Sequence, residues 1–212
     1  MLEVPNSPKA SVRAHVRSAR RSMPPAARET ADAVLVKTLL HLVLDMSARL
    51  VAAYVPLPGE PGGARLVDAL AGAVPRVLLP VLRDDLDLDW AAYDGTLSPG
   101  RFGLSEPVGP RLGVDAIAGV DVVVVPGLAV DLSGVRLGQG GGSYDRALAR
   151  TTVPTVVPLY PGELVDALPA EPHDRRVAAA LVGYEPAHLY WTKAAPMTHD
   201  WHSGYPSAND GG

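Results

Sequence analysis

The sequence predicts an α/β sandwich with a largely parallel central sheet. Short apolar runs read as strands, and stretches with helical spacing lie between them, the alternation expected of a parallel sheet covered by helices. Punctuation agrees: Gly and Pro number 21 each in 212 residues, and they fall between the apolar runs, marking loops between short elements rather than disorder.

The first thirty residues are basic, with Lys9, Arg13, Arg17, Arg20, Arg21 and Arg28 against Glu3 and Glu29. Lys9, Arg13, Arg17 and Arg21 recur every four residues, which on a helix draws one slowly drifting cationic stripe. Val34, Leu35, Thr38, Leu39, Leu42 and Val43 then predict a second helix over about 26–46. Strands are predicted over 49–55, 76–82, 86–93, 120–125, 153–159 and 177–182. The run 122–125 is apolar without alternation, as in a strand buried on both faces. LDLDWAAY at 86–93 alternates, predicting a half-exposed or edge strand. Helices are predicted over 62–72, 141–150 and 161–168. One domain is expected over 1–183, with 184–212 as a C-terminal tail poorly ordered near its end. The tail residues His188, His199 and His202 read as unconstrained side chains rather than a metal set.

Composition excludes several classes. Hydrophobic residues make up 47% and charged residues 20%, enough for a core that removes roughly 70% of the unfolded surface from water. Cysteine is absent, which excludes disulfides and cysteine-ligated metal sites. A net charge of -4 argues against a chain built to coat nucleic acid. No apolar run approaches the roughly 18 residues that span a bilayer, and the N-terminus has no apolar core of a secretory signal. A cytoplasmic monomer acting on small molecules is expected, with no nucleic-acid or membrane partner.

The densest chemical signal runs from Val125 through Pro126, Gly127 and Asp131 to RLGQGGGSYDRAL at 136–148. Gly134, Gly138, Gly140, Gly141 and Gly142 stand just before a predicted helix. Glycine lets backbone N–H groups approach an anion and a helix start adds a positive end, so phosphate is the natural guest. Arg136 and Arg146 can add charge-assisted contacts. A carboxylate this close to a phosphate, Asp145, suggests Mg2+, which commonly takes one or two carboxylates beside phosphate oxygens. On glycine content alone, a flexible turn with Asp145 as a helix-dipole partner is an equally good reading. The common phosphate motifs do not fit: no P-loop lysine exists, and Ser143 stands where a dinucleotide fingerprint needs its third glycine.

The pattern resembles the 5-formyltetrahydrofolate cyclo-ligase family, whose hallmark is a strand ending in Pro-Gly, an aspartate, a glycine, then Arg-Leu-Gly-x-Gly-x-Gly-Tyr-Tyr-Asp-Arg. Pro126, Gly127, Asp131, Gly134, Arg136, Leu137, Gly138, Gly140, Gly142, Tyr144, Asp145 and Arg146 fit it in register. KASVR at 9–13 is similar to the family's N-terminal Lys-x-x-x-Arg. Pro58 and Glu60 resemble its Pro-x-Glu, FGLSEP at 102–107 its aromatic-Gly-Ile-x-Glu-Pro, and PAEPHD at 169–174 its segment ending in His-Asp. Ser143 departs from the first of the two tyrosines. Gln139 and Gly141 stand where aromatic or basic residues are frequent, and Val130 where phenylalanine is common.

The resemblance implies a three-layer α/β/α sandwich and ATP-dependent cyclisation of 5-formyltetrahydrofolate to 5,10-methenyltetrahydrofolate, with Mg2+ as cofactor. It implies that ATP is bound by Lys9, Arg13, Arg136, Leu137, Gly138, Gln139, Gly140, Gly141, Gly142, Ser143, Tyr144 and Asp145. The folate is then contacted by Val55, Glu60, Phe102 and Tyr144, and the metal by Asp145 and Asp174. Two other functions were weighed: a non-catalytic nucleotide- or folate-binding relative, and an ATP-dependent enzyme for another formamide-like metabolite.

Overall fold

A computed structural model describes residues 8–195. In chain order the elements are α1 (Pro8–Ser22), α2 (Pro25–Asp45), β1 (Leu50–Ala52), α3 (Leu66–Ala73), β2 (Arg76–Leu82), β3 (Leu88–Ala92), β4 (Leu97–Pro99), β5 (Ser105–Pro107) and β6 (Val122–Val124). There follow β7 (Ala129–Asp131), β8 (Arg136–Leu137), α4 (Ser143–Leu148), β9 (Thr155–Leu159), β10 (Leu164–Val165), β11 (Ala179–Val182) and β12 (His188–Trp191).

Seven strands form the main sheet in the order β12-β11-β9-β6-β1-β2-β3. The inner strands run parallel, while β3 and β12 close the two edges antiparallel. The alternating run at 86–93 is thus an edge strand, and the uniformly apolar run at 122–125 lies in the middle of the sheet.

Strand residues alternate between two cores. Val51, Leu79 and Val122 pack with Leu35 and Leu39 of α2 and Leu70 of α3. Ala52, Leu78 and Val123 pack on the other side with Ile117, Ala147 and Leu148. Helical spacing built α2, with Pro25 in its first turn, where its missing N–H costs nothing. The result is the three-layer sandwich, but one outer layer is thin. It consists of the six-residue α4 and a 3-10 turn over Val114–Gly119.

The first helix packs elsewhere. Val12 of α1 joins Ala129, Val135, Leu137 and Leu168 against the small sheet β10-β7-β8. Arg13, Val16 and Arg20 are the buried residues of α1, so its inward seam follows 9, 13, 16 and 20. The stripe predicted through Arg17 and Arg21 drifts off that seam, because 3.6 residues per turn do not close on four. Arg20 ends buried, donating to both carboxylate oxygens of Glu163 at 2.7 and 2.8 Å and to Gly127 O at 2.7 Å.

Three expectations change. Residues 161–168 form no helix. Gly162 turns at φ +87°, the buried Glu163 accepts from Arg20 and from Tyr160 N–H, and Leu164–Val165 pairs with β7. The helix expected over 141–150 shortens to α4, entered through Gly142 at φ +67°. The fold also continues past 183: β12 pairs along β11, with Val182 opposite His188. His188 is therefore a strand residue, while His199 and His202 lie outside the described residues.

Candidate active site

A cavity of about 460 Å3 opens where β1, β2 and β6 end, the place where open α/β sheets bind ligands. Its walls include Tyr54 and Val55 after β1, Pro80 and Leu82 of β2, and Pro126 and Gly127 after β6. Lys9 and Arg13 of α1 and the whole 136–145 segment also line it. Of the residues implied for ATP, folate and metal, all but Phe102 meet here.

Glycine is needed in the loop for space as well as for turning. A Cβ on Gly138 would stand 2.6 Å from Arg136 Nη1. That guanidinium cannot easily retreat, because it donates to Pro126 O at 3.2 Å and to both Asp145 oxygens at 3.1 Å. Among the described residues, the N–H groups of Gln139, Gly140, Gly141 and Gly142 find no acceptor. Four donors in sequence suit an anion. A six-residue helix adds little dipole, so the cationic side chains carry most of the attraction.

Those cations are already paired with the acids expected to hold metal. Lys9 Nζ lies 2.8 Å from Asp174 Oδ2 and 2.9 Å from Glu171 Oε2. Burial disfavours its ammonium, but the hydrogen bonds and charges of Asp174 and Glu171 outweigh that and raise its pKa. Burial likewise pushes Asp174 up, and the Lys9 hydrogen bond, the Glu171 N–H and the Lys9 charge bring it below the ordinary value. Arg13 donates to Gly138 O at 2.8 Å; burial first, and then the charge of Arg17, lower its pKa. A cation under repulsion and desolvation is served by an incoming anion.

Arg136 is buried, with a side chain 3% exposed. Its Nε and the Tyr144 hydroxyl are shielded from solvent without partners, and its guanidinium carbon lies 5.9 Å from the Tyr144 ring centroid. Shielded, unpartnered donors facing a cavity are what a ligand would satisfy. Burial, and then the field of Glu60, raises the Tyr144 pKa so far that the hydroxyl keeps its proton at neutral pH.

The donor set also suits a hard divalent cation beside phosphate oxygens. Asp145 accepts from the N–H of Arg175, the neighbour of Asp174, at 3.1 Å, so both expected metal ligands share one wall. Glu171, His173 and Asp174 bring ligand atoms within 4.8 Å of one another. Glu171 and His173 were not singled out from sequence, although they sit inside the PAEPHD segment.

On the other wall, Glu60 is held by its loop. Its Oε2 accepts from Leu57 N–H at 3.1 Å and its Oε1 from Gln139 Nε2 at 3.2 Å. The loop is pinned in turn by Tyr160 Oη on Glu60 O at 3.1 Å, by Tyr54 Oη on Pro61 O at 2.5 Å, and by Gly62 N–H on Asp32 at 2.9 Å. Tyr54, Tyr160 and Asp32 carry no motif, and only the folded chain brings them to the loop. Phe102 is the exception among the expected contacts. It is 76% exposed at φ +54°, and Arg101 lies over its ring at 5.6 Å.

Comparison with known proteins adds a family. The 5-formyltetrahydrofolate cyclo-ligase family matches residues 5–183. The chain is 45% identical over 174 residues to the 5-formyltetrahydrofolate cyclo-ligase of Mycolicibacterium smegmatis, covering 78% of this chain and 89% of that protein. It is 28% identical over 179 residues to the protein of the same name from Haemophilus influenzae, covering 81% and 96%. Among solved structures, the 5,10-methenyltetrahydrofolate synthetase of Aquifex aeolicus superposes with a TM-score of 0.76 at 25% identity, covering 94% of this chain and 100% of that one. In every case except the coverage of this chain by the curated sequences, at least 89% of the matched protein's own length is involved.

Proposed function

The chain belongs to the 5-formyltetrahydrofolate cyclo-ligase family, and we propose that its cavity converts 5-formyltetrahydrofolate and ATP to 5,10-methenyltetrahydrofolate, ADP and phosphate. One observation carries this reading: the glycine loop, Lys9, Arg13 and Arg136 meet Asp145 and Asp174 on one wall, opposite Glu60. A bare binding module has no need of two carboxylates beside the phosphate cations.

A formamide oxygen is a poor leaving group, and accepting the γ-phosphoryl group makes it a good one. Lys9, Arg13 and Arg136 hold the phosphates and stabilise charge on the group in transfer. The N–H groups of 139–142 add donors that need no reorganisation. Magnesium, when bound, neutralises phosphate charge, with Asp145 and Asp174 as its protein ligands. The neighbouring folate nitrogen then attacks the activated carbon and loses its proton, and phosphate leaves with the former formyl oxygen. Glu60 is positioned to take that proton, because two fixed donors hold it and leave carboxylate lone pairs toward the cavity. Tyr144 offers a hydroxyl that stays protonated.

Val55 lines the folate side. Phe102 sits at the tip of a hairpin whose Leu104, Ser105 and Glu106 reach the cavity, so stacking on the folate requires that hairpin to close inward. We place the enzyme in the cytoplasm, where ATP is supplied, as a monomer whose site is built from one chain. No described helix is long and apolar enough to cross a membrane.

The test is the absorbance of the methenyl product. Purified protein given 5-formyltetrahydrofolate should form it only with both ATP and Mg2+. Equal conversion without ATP would falsify the cyclo-ligase reading.

A further inference from the structure

Gln139 joins two walls of the cavity that no backbone element connects. Its Oε1 accepts from Arg17 Nη2 at 2.7 Å and Arg17 Nε at 3.2 Å, and its Nε2 donates to Glu60 Oε1 at 3.2 Å. Arg17 comes from α1, Gln139 from the glycine loop, and Glu60 from the loop after β1. The three are separated in sequence by 122 and 79 positions.

The polarity of this chain of contacts is fixed by chemistry. A guanidinium only donates and an ionised carboxylate only accepts, so a side chain between them must offer an acceptor one way and a donor the other. A primary amide does this in one orientation. Arg17 claims the carbonyl end, and the amino end is thereby turned on Glu60. The glycine loop itself is held to α1 by the Arg13 contact to Gly138 O, one residue away, so the amide starts from an anchored backbone.

We propose that Arg17 and Gln139 act in series as positioning residues for Glu60, so that the folate-side carboxylate is aimed from the nucleotide-side helix. The inference rests on the reading of Glu60 as a folate contact. It gives Arg17 a role distinct from that of its neighbours on α1: Lys9 and Arg13 face the phosphates directly, whereas Arg17 acts on the folate through an intermediary. Closure of the glycine loop and alignment of Glu60 become one event.

Elements in series have a measurable signature. Arg17→Ala and Gln139→Ala should each raise the 5-formyltetrahydrofolate KM roughly three- to tenfold, the scale of one hydrogen bond to a charged group near water. kcat and the ATP KM should stay within about twofold, since the loop presents backbone N–H groups to the nucleotide. The double variant should be no worse than either single one, because each breaks the same chain. Gln139→Glu keeps the acceptor for Arg17 but turns a like charge on Glu60. It should bind 5-formyltetrahydrofolate more weakly than Gln139→Ala, with a deficit that added salt reduces. Thermal unfolding of all four should match the parent, because Arg17 and Gln139 are exposed.

Glu60→Gln, measured by direct binding of 5-formyltetrahydrofolate without ATP, separates the two layers of the argument. No loss there overturns the assignment of Glu60 itself. A loss with Glu60→Gln, combined with additive or absent effects at 17 and 139, overturns the series arrangement alone.

Discussion

Lys9 and Asp174, 165 positions apart in sequence, stand 2.8 Å from one another at the cavity wall. Before nucleotide arrives, the cation expected to meet phosphate neutralises the acid expected to meet metal. Arg136 and Asp145 repeat the arrangement at 3.1 Å. A phosphate or a metal binding alone would leave one half of each pair facing a like charge or none, so the site is balanced for the two together.

Lys9→Ala therefore removes a phosphate contact and also uncovers Asp174. The ATP KM should rise about ten- to hundredfold, the equivalent of roughly 1.5–3 kcal/mol for a charge-assisted hydrogen bond. Binding of 5-formyltetrahydrofolate alone should hardly change. Steady-state kinetics with each substrate varied in turn will check this, and a matching ATP effect for Arg17→Ala would mean that only diffuse surface charge is involved.

Asp145→Asn tests more than metal binding. The variant keeps shape but leaves the buried Arg136 without its counter-charge, and breaking a buried pair costs about 3–5 kcal/mol when one partner is removed. Asparagine can still accept one hydrogen bond, so a loss of about 2–4 kcal/mol is expected in urea unfolding, together with collapse of turnover. Retained turnover in a destabilised protein would assign Asp145 a structural role only.

The glycine loop offers a contrast between neighbours. Gly138→Ala drives a methyl to 2.6 Å from Arg136 Nη1 and should force the guanidinium off Asp145, abolishing most activity. Gly141→Ala meets only Ser143 Oγ, at 3.5 Å, an ordinary contact, and should retain activity within a few-fold. Parallel assays of the two purified variants decide the matter. Equal activities would show that Arg136 repositions freely.

Acid sensitivity can be traced to Asp87 beneath α4. Burial pushes its carboxyl up, but hydrogen bonds from Arg150 and Leu88 N–H, and the charges of Arg150 and Arg146, bring its pKa below 3.8. A carboxyl held lower in the folded chain than in the unfolded one stabilises the fold above the unfolded value. That contribution disappears as pH falls through the folded value. Arg150→Ala should therefore lower stability at pH 7 and flatten its fall between about pH 4 and 2. Urea titrations across that range will show whether the parent and variant curves converge as acid is added.

Several elements of this fold were legible because local pattern and tertiary role agree. The uniformly apolar valines at 122–125 can only suit a strand covered twice, and the alternation at 86–93 suits an edge. The glycine motif and the Lys9–Arg13 spacing were visible because they reflect one loop and one helix face. Residues 161–168 misled because their apolar spacing is compatible with a helix. The competing forces were Gly162 in a left-handed turn and a carboxylate, Glu163, drawn inward by Arg20 from 143 positions away. β12 was hidden for the same reason, since HLYW carries a weak pattern and gains its place from pairing with β11. Tyr54, Tyr160 and Asp32 had no local signal at all. Phe102 shows the reverse error: a motif match predicted a ring against the folate, and the backbone turns it into solvent.

The attachments of α1 also govern when activity can arise during synthesis. Its side chains wait for Gly127, Gly138, Glu163 and Asp174, which lie 107, 125, 143 and 165 positions later. At a ribosome adding about 5–20 residues per second, this helix is exposed for several seconds as a cationic segment before any acceptor exists. The catalytic cavity is thus assembled from the two extremes of translation, and a nascent chain cannot turn over substrate until nearly all of it has emerged. Amine-reactive labelling of stalled chains would find Lys9 open in those arrested before Asp174 and protected in those released, making the first helix a marker of finished synthesis.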